Sequence, residues 1–296
     1  MIPCFKKAGC GFVEVGSVSA KKCKGNPRPR AFRLPDDQAL INRMGLNNAG
    51  AKAIRPRLEK AAGQIAFPVA VNLAKTHDPK IEGKAAIEDF CESFRILAPW
   101  ADYVALNISC PNTAEGKTFE DPNSLDELLS AIMTLRKELA LEVPVVVKFS
   151  PPLAESFILD SLFDELILVC LGHGIHGFIA TNTASDRNGL VTSKERISKI
   201  GNGGLSGQPI RARANGLVKY LFRKTSGKLP IIGVGGIANA AQAYERIKSG
   251  ASLIQLYTGL VYQGPGVIRD IKKGLVRLME EEGHSSITHI VGIEAK

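Results

Sequence analysis

The feature that most constrains this fold is a regular alternation of short apolar runs with longer amphipathic segments. In the amphipathic segments, apolar residues recur at spacings of three and four, as at Ile87, Phe90 and Phe94, which predicts helices. Strands that are apolar throughout and are followed by a helix are typical of a parallel sheet whose faces are covered. The predicted strands are Phe12–Val18, Phe67–Leu73, Tyr103–Ile108, Val143–Phe149, Gly177–Thr181, Pro230–Val234 and Ser252–Tyr257.

This pattern favours an α/β fold of the (β/α)8 TIM barrel type, which needs about 250 residues. The chain has 296 residues, and no linker divides it, so a single barrel domain over residues 1–296 is expected. Only seven strands are predicted, and Lys6–Gly11 resembles the end of a helix without its preceding strand, so the first βα unit is expected to be missing. A doubly wound sheet is the alternative, but its G-x-G-x-x-G fingerprint is absent. Helices are predicted at Ala86–Leu97, Leu125–Leu139, Ala154–Leu171, Ile210–Lys224, Ala240–Lys248 and Val267–Glu281.

Two segments are longer than a simple connection between strand and helix, namely Ser19–Arg57 and Asn182–Pro209. Long loops within a compact domain are usually functional. The formal charge is +9, with basic residues concentrated near the N-terminus. Only Phe5 and Phe32 lie among these charges, too few for a base-stacking surface, so we expect a solvated basic face and no nucleic-acid partner.

The composition and the N-terminal residues indicate where in the cell the protein is expected. No apolar run approaches the length of about 18–20 residues that spans a bilayer, and the first residues contain no secretory signal. Six cysteines without a C-x-x-C pair indicate reduced thiols, so a cytoplasmic protein is expected. The five histidines form no ligand-like pair beside an acid, and no metal site is predicted.

Polar side chains follow the predicted strands where a parallel barrel carries its chemistry. The asparagines are Asn72, Asn107, Asn112 and Asn182. One such asparagine is usually a turn residue, but four together suit a planar heterocycle that needs both donors and acceptors. Lys148 ends a valine-rich strand, where it either pairs with an anion or extends to solvent.

Two glycine clusters and one cysteine complete the predicted site. Gly203–Gly207 and Gly233–Gly236 can let backbone N–H groups approach a phosphate. Cys110 follows an asparagine-bearing strand, and a thiol pKa of about 8.5 suits a proton acceptor. The alternative is a packed, inert thiol, which is the expectation for Cys91 and Cys170 within helices.

Together these motifs resemble the dihydroorotate dehydrogenase family, the flavin enzymes of pyrimidine synthesis. The segments Gly25–Arg30, Phe32–Pro35 and Ile41–Gly45 are similar to its membrane-associated, quinone-using class. The resemblance implies an FMN enzyme that oxidises (S)-dihydroorotate to orotate for UMP synthesis, with quinone as acceptor and peripheral contact with the inner face of a membrane. It continues through Val71–Leu73, Asn107–Thr113, Thr181–Thr183, Gly203–Gly207, Val234–Gly236 and Gln255–Thr258.

The resemblance also implies a role for each matching residue. Cys110 matches the base that removes the C5 proton of the substrate while the C6 hydride moves to flavin N5, and Lys148 would stabilise the reduced flavin. The implied flavin contacts are Ser17, Asn72, Asn107, Lys148, Thr181, Gly207, Gly236, Tyr257 and Thr258. The implied substrate contacts are Asn42, Arg43, Met44, Gly45, Leu46, Asn107, Asn112, Asn182 and Thr183.

The chain departs from the quinone-using class in three respects. That class normally has Ser in place of Cys110, whereas the soluble classes have Cys; Leu46 stands where Phe is usual. The family's first strand, with its glycine-rich flavin loop, and the amphipathic N-terminal extension have no counterpart. Two alternatives remain open, a flavin-dependent tRNA dihydrouridine synthase and a truncated, inactive barrel.

Overall fold

The computed structural model describes residues 2–64, 66–109, 119–153 and 161–295. The strands are β1 (Val13–Val18), β2 (Ala31–Leu34), β3 (Ala39–Asn42), β4 (Val69–Leu73), β5 (Val104–Asn107), β6 (Val145–Phe149), β7 (Gly177–Ala180), β8 (Gly204–Gly207), β9 (Ile231–Val234) and β10 (Leu253–Gln255). The helices are α1 (Ile2–Lys7), α2 (Ala51–Gln64), α3 (Gly83–Leu97), α4 (Pro122–Glu138), α5 (Ser161–Gly172), α6 (Lys194–Ile200), α7 (Arg211–Lys224), α8 (Ala240–Lys248), α9 (Thr258–Gln263) and α10 (Gly266–Glu281). Short 3-10 helices lie at Ala98–Trp100, Gln208–Ile210 and Ile287–Ile290.

The α/β fold expected from the sequence is confirmed. The seven predicted strands are β1, β4, β5, β6, β7, β9 and β10, each shorter than predicted by one or two residues at one or both ends. The predicted helices correspond to α3, α4, α5, α7, α8 and α10, although residues 154–160 of one prediction lie outside the described part of the chain. The helix expected to end within Lys6–Gly11 is α1, which ends at Lys7. The missing βα unit and the single-domain organisation stay predictions.

The described chain divides into two compact units. Of the described residues, unit 1 comprises 2–28, 44–64, 66–109, 119–148 and 161–176, and unit 2 comprises 29–43, 149–153 and 177–295. In unit 1, parallel strands pair in the order β1-β4-β5-β6, and α3 packs against α2 and α4. Helix α4 begins after Asp121, whose carboxylate accepts a hydrogen bond of 2.9 Å from the Ser124 N–H, and its buried residues are Leu125, Leu128, Leu129, Ile132 and Leu135.

Unit 2 contains a parallel group, β7-β9-β10, and an antiparallel sheet, β2-β3-β8. The second sheet corrects the sequence prediction, because its strands lie in Ser19–Arg57 and Asn182–Pro209, which were expected to be loops. Those segments also contain the start of α2 and the whole of α6. Strand β8 reads Gly-Leu-Ser-Gly, which has little intrinsic strand preference, so its pairing with β3 and burial of Leu205 define it.

A buried carboxylate fastens the turn between β2 and β3. Asp37 accepts hydrogen bonds from the N–H of Val191 at 2.6 Å and from the N–H and hydroxyl of Thr192 at 3.1 and 2.5 Å. Burial alone would raise the pKa of Asp37, but these three hydrogen bonds outweigh burial and lower it. The ionised form therefore holds segment 191–192 against the hairpin.

No described helix has the length and apolar character needed to cross a membrane.

We expect Asp37→Asn to lower the free energy of unfolding at pH 7 by about 1.5–3 kcal/mol, because hydrogen bonds to a charged acceptor are lost. A lowered folded-state pKa stabilises the protein above the unfolded pKa of about 3.9 and ceases to do so as pH falls through the folded value. Urea unfolding at pH 7 and near pH 3 should therefore show the difference from wild type shrinking at acid pH. Asp36→Asn, at the exposed neighbouring position, is the matched control, and an equal effect of both substitutions would contradict the account.

Candidate active site

The polar residues predicted from unit 1 lie on one face of its parallel strands. The register pairs Gly16 with Asn72, and Asn107 with Lys148. Because side chains alternate along a strand, residues two apart share a face. Glu14, Asn72, Asn107 and Lys148 therefore point to the same side, while the opposite side carries Val15, Val71, Leu73, Leu106 and Val147.

Three of these predicted residues are connected by direct hydrogen bonds. The Ser17 hydroxyl donates to Asn72 Oδ1 at 2.6 Å, and Asn107 Nδ2 donates to Ser17 Oγ at 3.1 Å. The chain from Asn107 to Asn72 fixes which way each amide faces. We call this set, together with Glu14 and Lys148, the polar network.

Glu14 links the amides to the lysine. Its Oε1 accepts a hydrogen bond of 3.0 Å from Asn72 Nδ2 and lies 3.6 Å from Lys148 Nζ, while its Oε2 accepts one of 2.9 Å from the Tyr103 hydroxyl. The side chains of Glu14 and Lys148 are only 11% and 16% exposed. A buried ion pair is tolerated when further hydrogen bonds satisfy its charged groups, and the Glu14 carboxylate accepts two, from Asn72 and Tyr103. The pair places a lysine on the polar face with a counter-charge beside it.

Sequence reasoning missed Glu14, although a signal existed. Glu14 is the single charged residue of β1, and it lies between Val13 and Val15. The neighbouring Gly16 has φ of +142°, and a Cβ there would lie 2.6 Å from the carbonyl oxygen of Asn72. Glycine at this position therefore allows β1 and β4 to approach where the polar network begins.

Three predicted cofactor residues of unit 2 lie close together, namely Gly207, Gly236 and Thr258. A Cβ on Gly207 would lie 3.0 Å from Thr258 Cγ2, and one on Gly236 would lie 3.0 Å from the Gly207 carbonyl oxygen. Both glycines have positive φ, +105° and +70°. The hydroxyls of Ser206 and Thr258 are 2.8 Å apart, whereas the adjoining Tyr257 is 67% exposed.

The residues after β7 are held by backbone hydrogen bonds. The N–H of Thr181 donates to the Val234 carbonyl at 2.9 Å, and the N–H of Asn182 donates to the Phe149 carbonyl at 2.8 Å. These bonds fix the direction in which the chain leaves the strand.

A second glycine contact brings two predicted substrate residues to one place. A Cβ on Gly204 would lie 2.1 Å from Thr183 Oγ1, so glycine is required there. Asn42 Nδ2 donates to the Gly204 carbonyl at 3.4 Å. Asn42 and Thr183 therefore flank the same glycine.

Arg43 makes structural contacts. Its guanidinium donates to the carbonyl of Ile200 and lies 4.8 Å from the centre of the Phe32 ring. Its predicted contact with substrate stays a prediction. Cys110 and Asn112, the predicted base and one predicted substrate contact, lie outside the described residues.

The segment after Arg43 is anchored through its backbone in unit 1. The Met44 carbonyl accepts a hydrogen bond of 3.1 Å from the Asn26 N–H, and the Gly45 carbonyl lies 3.2 Å from His77 Nδ1. Gly45 has φ of +68°, and a Cβ there would be 2.6 Å from the Asn26 nitrogen. Leu46 also has positive φ, +54°.

The described cysteines are all free thiols: Cys4, Cys10, Cys23, Cys91 and Cys170. Burial raises the pKa of Cys170 and that of Cys91, which agrees with packed thiols in helices. Among residues 2–64, 66–109, 119–153 and 161–295, no group of three metal-ligating side chains is present.

Comparison with known proteins gives the family. The family model described as dihydroorotate dehydrogenase matches residues 3–279. The chain belongs to the dihydroorotate dehydrogenase family. A relative from Roseiflexus castenholzii named dihydroorotate dehydrogenase (quinone) is 42% identical over 292 residues, covering 97% of this chain and 75% of its own. A relative of the same name from Nostoc punctiforme is 40% identical over 296 residues, covering 97% of this chain and 76% of its own.

Solved structures of the family agree. The dihydroorotate dehydrogenase of Eimeria tenella in complex with ferulenol superposes with a TM-score of 0.91 at 31% identity, covering all of this chain and 82% of its own. The ligand-free form of the Eimeria tenella enzyme gives a TM-score of 0.89 at 32% identity, covering 99% and 84%.

We expect Glu14→Gln to lower the free energy of unfolding by about 1–3 kcal/mol, because Lys148 loses its counter-charge in a largely buried place. A double-mutant cycle with Lys148→Met should give a coupling energy of at least about 1 kcal/mol by urea unfolding. The matched pair Lys52–Glu92, with side chains 80% and 39% exposed, should couple by less than about 0.5 kcal/mol. A coupling energy below about 0.5 kcal/mol for Glu14 and Lys148, as in an exposed pair, would show that this pair is not a stabilising interaction.

Proposed function

We propose that this protein catalyses the FMN-dependent oxidation of (S)-dihydroorotate to orotate in the de novo synthesis of UMP, with quinone as electron acceptor. The observation that carries the proposal is the polar network, because Ser17, Asn72, Asn107 and Lys148 match flavin contacts of the family and are joined through one another or through Glu14. The quinone-enzyme names of the relatives support the acceptor.

We also infer that the parallel strands belong to a (β/α)8 barrel. Two family structures that superpose on at least 99% of this chain support this inference. Barrel enzymes carry their active-site residues after the carboxyl ends of the strands. Asn72, Asn107, Lys148 and Thr181 lie at or next to those ends in β4, β5, β6 and β7.

The side chains present suit FMN. Members of the family are flavin enzymes in general. The amides of Asn72 and Asn107 offer both donors and acceptors for the edge of a flavin ring. At Gly207 and Gly236 a Cβ would collide with neighbouring protein atoms, so glycine allows the backbone to pack closely there. Successive backbone N–H groups in such glycine-rich turns can form a concavity that binds a phosphate. When bound, FMN supplies the acceptor for the hydride that leaves C6 of the substrate.

Each of the remaining roles falls to the chain itself. Cys110 accepts the C5 proton as a thiolate and so becomes a thiol. Lys148 adds positive charge on the polar face, where negative charge develops on the reduced ring, and Glu14 holds the lysine in place. Asn42, Asn182 and Thr183 orient the substrate by hydrogen bonds, as do Asn107 and Asn112.

The base is tested by anaerobic mixing of the holoprotein with dihydroorotate. We expect Cys110→Ala to slow the bleaching of flavin absorbance by about 10²–10⁴-fold, since the proton acceptor is lost. Cys110→Ser should retain a slow reaction whose rate rises toward alkaline pH, because a serine hydroxyl is a far weaker acid than a thiol with a pKa of about 8.5. The control Cys91→Ala changes a cysteine in α3 and should bleach as wild type does. Unchanged bleaching in Cys110→Ala would exclude this residue as the base.

The acceptor is tested after the flavin has been reduced. We expect a short-chain ubiquinone analogue to reoxidise the reduced protein in a stopped-flow experiment at least about tenfold faster than fumarate or NAD⁺ at equal concentration, a difference of about 1.4 kcal/mol in barrier. Faster reoxidation by fumarate or NAD⁺ would instead assign the protein to the soluble classes of the family, which also have cysteine at the position of Cys110.

A further inference from the structure

Arg246 is a fully buried arginine in unit 2. It lies on α8 with no exposed surface, and it is the largest fully buried side chain among the described residues. Its stem passes over Gly233 of β9, where a Cβ would lie 2.6 Å from Arg246 Cγ. Glycine in that strand therefore makes room for the arginine to extend toward the loop that follows β9.

The guanidinium is bound by neutral acceptors only. Its Nη2 donates to the Gly235 carbonyl at 2.8 Å and to the Arg211 carbonyl at 3.4 Å, and its Nε donates to Asn215 Oδ1. Among the described residues, Nη1 is buried without a hydrogen-bond partner. The neighbouring Glu245 pairs with Arg211 at 3.5 Å rather than with Arg246.

A buried cation without a carboxylate partner is costly. Burial lowers the pKa of Arg246 to about 10, so the group is still charged at neutral pH. Glu245 offsets part of this charge through space, but no described carboxylate bonds to the guanidinium, and the Arg211 side chain adds a second positive charge nearby. An anion bound at the adjoining loop would supply the missing negative charge.

The contact with Gly235 also sets the direction of a backbone donor. In a planar trans peptide, the C=O and the next N–H point in opposite directions. Since the Gly235 carbonyl faces Arg246, the Gly236 N–H faces away from the arginine. Gly236 has φ of +70° and a neighbour, Gly235, at +114°, so the loop takes a conformation that other residues rarely adopt.

We propose that Arg246 is a positioning residue that orients the Gly236 N–H and supplies positive charge for a phosphate monoester dianion, so that the site selects FMN over riboflavin. The inference rests on the proposed flavin function and adds a specificity determinant behind the loop, on a residue that does not itself touch the ligand. Oriented backbone donors and a nearby fixed cation both favour an anion, and neither favours the uncharged riboflavin.

The test is a flavin-fluorescence titration of the full-length protein after removal of its flavin, with FMN and with riboflavin. We expect Arg246→Met to raise the Kd for FMN by about tenfold or more while the Kd for riboflavin changes less than about twofold. Arg246→Lys keeps the charge and should retain most of the preference for FMN. Arg269→Gln removes an exposed arginine of α10, 68% exposed, and should bind both flavins as wild type does.

A second neutral variant, Arg246→Gln, keeps the proposal testable if Arg246→Met fails to fold. Arg246→Gln can still donate to the Gly235 carbonyl but carries no charge, and it too should lose preference for FMN. Inorganic phosphate should compete with FMN in the wild type and more weakly in Arg246→Gln.

The possible failures are distinguishable. If the Kd values for FMN and riboflavin rise in parallel, or if the neutral variants keep the wild-type preference, Arg246 is only structural and the inference is wrong. If the wild type binds neither flavin, the proposed function is overturned and the inference falls with it.

Discussion

The arrangement of unit 1 depends on one constraint: a charged pair and its amide partners must share one face of otherwise apolar strands. Glu14 and Lys148 come from β1 and β6, the first and last strands of that group, and each would be costly to bury alone. The amide of Asn72 and the hydroxyl of Tyr103 satisfy the remaining capacity of the carboxylate. Strand register, rather than any loop, therefore positions the candidate chemistry.

In unit 2, the main constraint is that neighbouring segments of the chain pack closely against one another. Gly204, Gly207 and Gly236 each stand where a Cβ would collide with a neighbouring atom, and Gly233 makes room for the stem of Arg246. Glycine at these positions lets neighbouring backbone segments pack closely, and the buried arginine adds positive charge behind the loop after β9. Glycine thus serves both the backbone geometry and the electrostatics of this region.

The sequence was most informative where burial is continuous. Valine-rich β4 and β6 and the helical spacing of α4 could be predicted because each element buries its own apolar pattern. Strand β8 could not be predicted, since Gly-Leu-Ser-Gly becomes a strand only through its partner β3.

Contacts between residues that are far apart in the sequence could not be predicted from local patterns. Glu14 and Lys148 were each visible in the sequence, but only the register shows that they meet. Arg246 follows Glu245 and reads as part of a charged helix surface, yet the space left by Gly233 buries it. The role of Cys110 stays a prediction, because residues 110–118 lie outside the described part of the chain.

The most direct test of the central claim is a crystal structure of the protein purified with its own flavin. The account predicts that the flavin ring is hydrogen-bonded to Asn72 and Asn107, with the Glu14–Lys148 pair intact beside it. A flavin bound elsewhere, with the amides of Asn72 and Asn107 free of any contact with it, would contradict the claim that the polar network is the cofactor site.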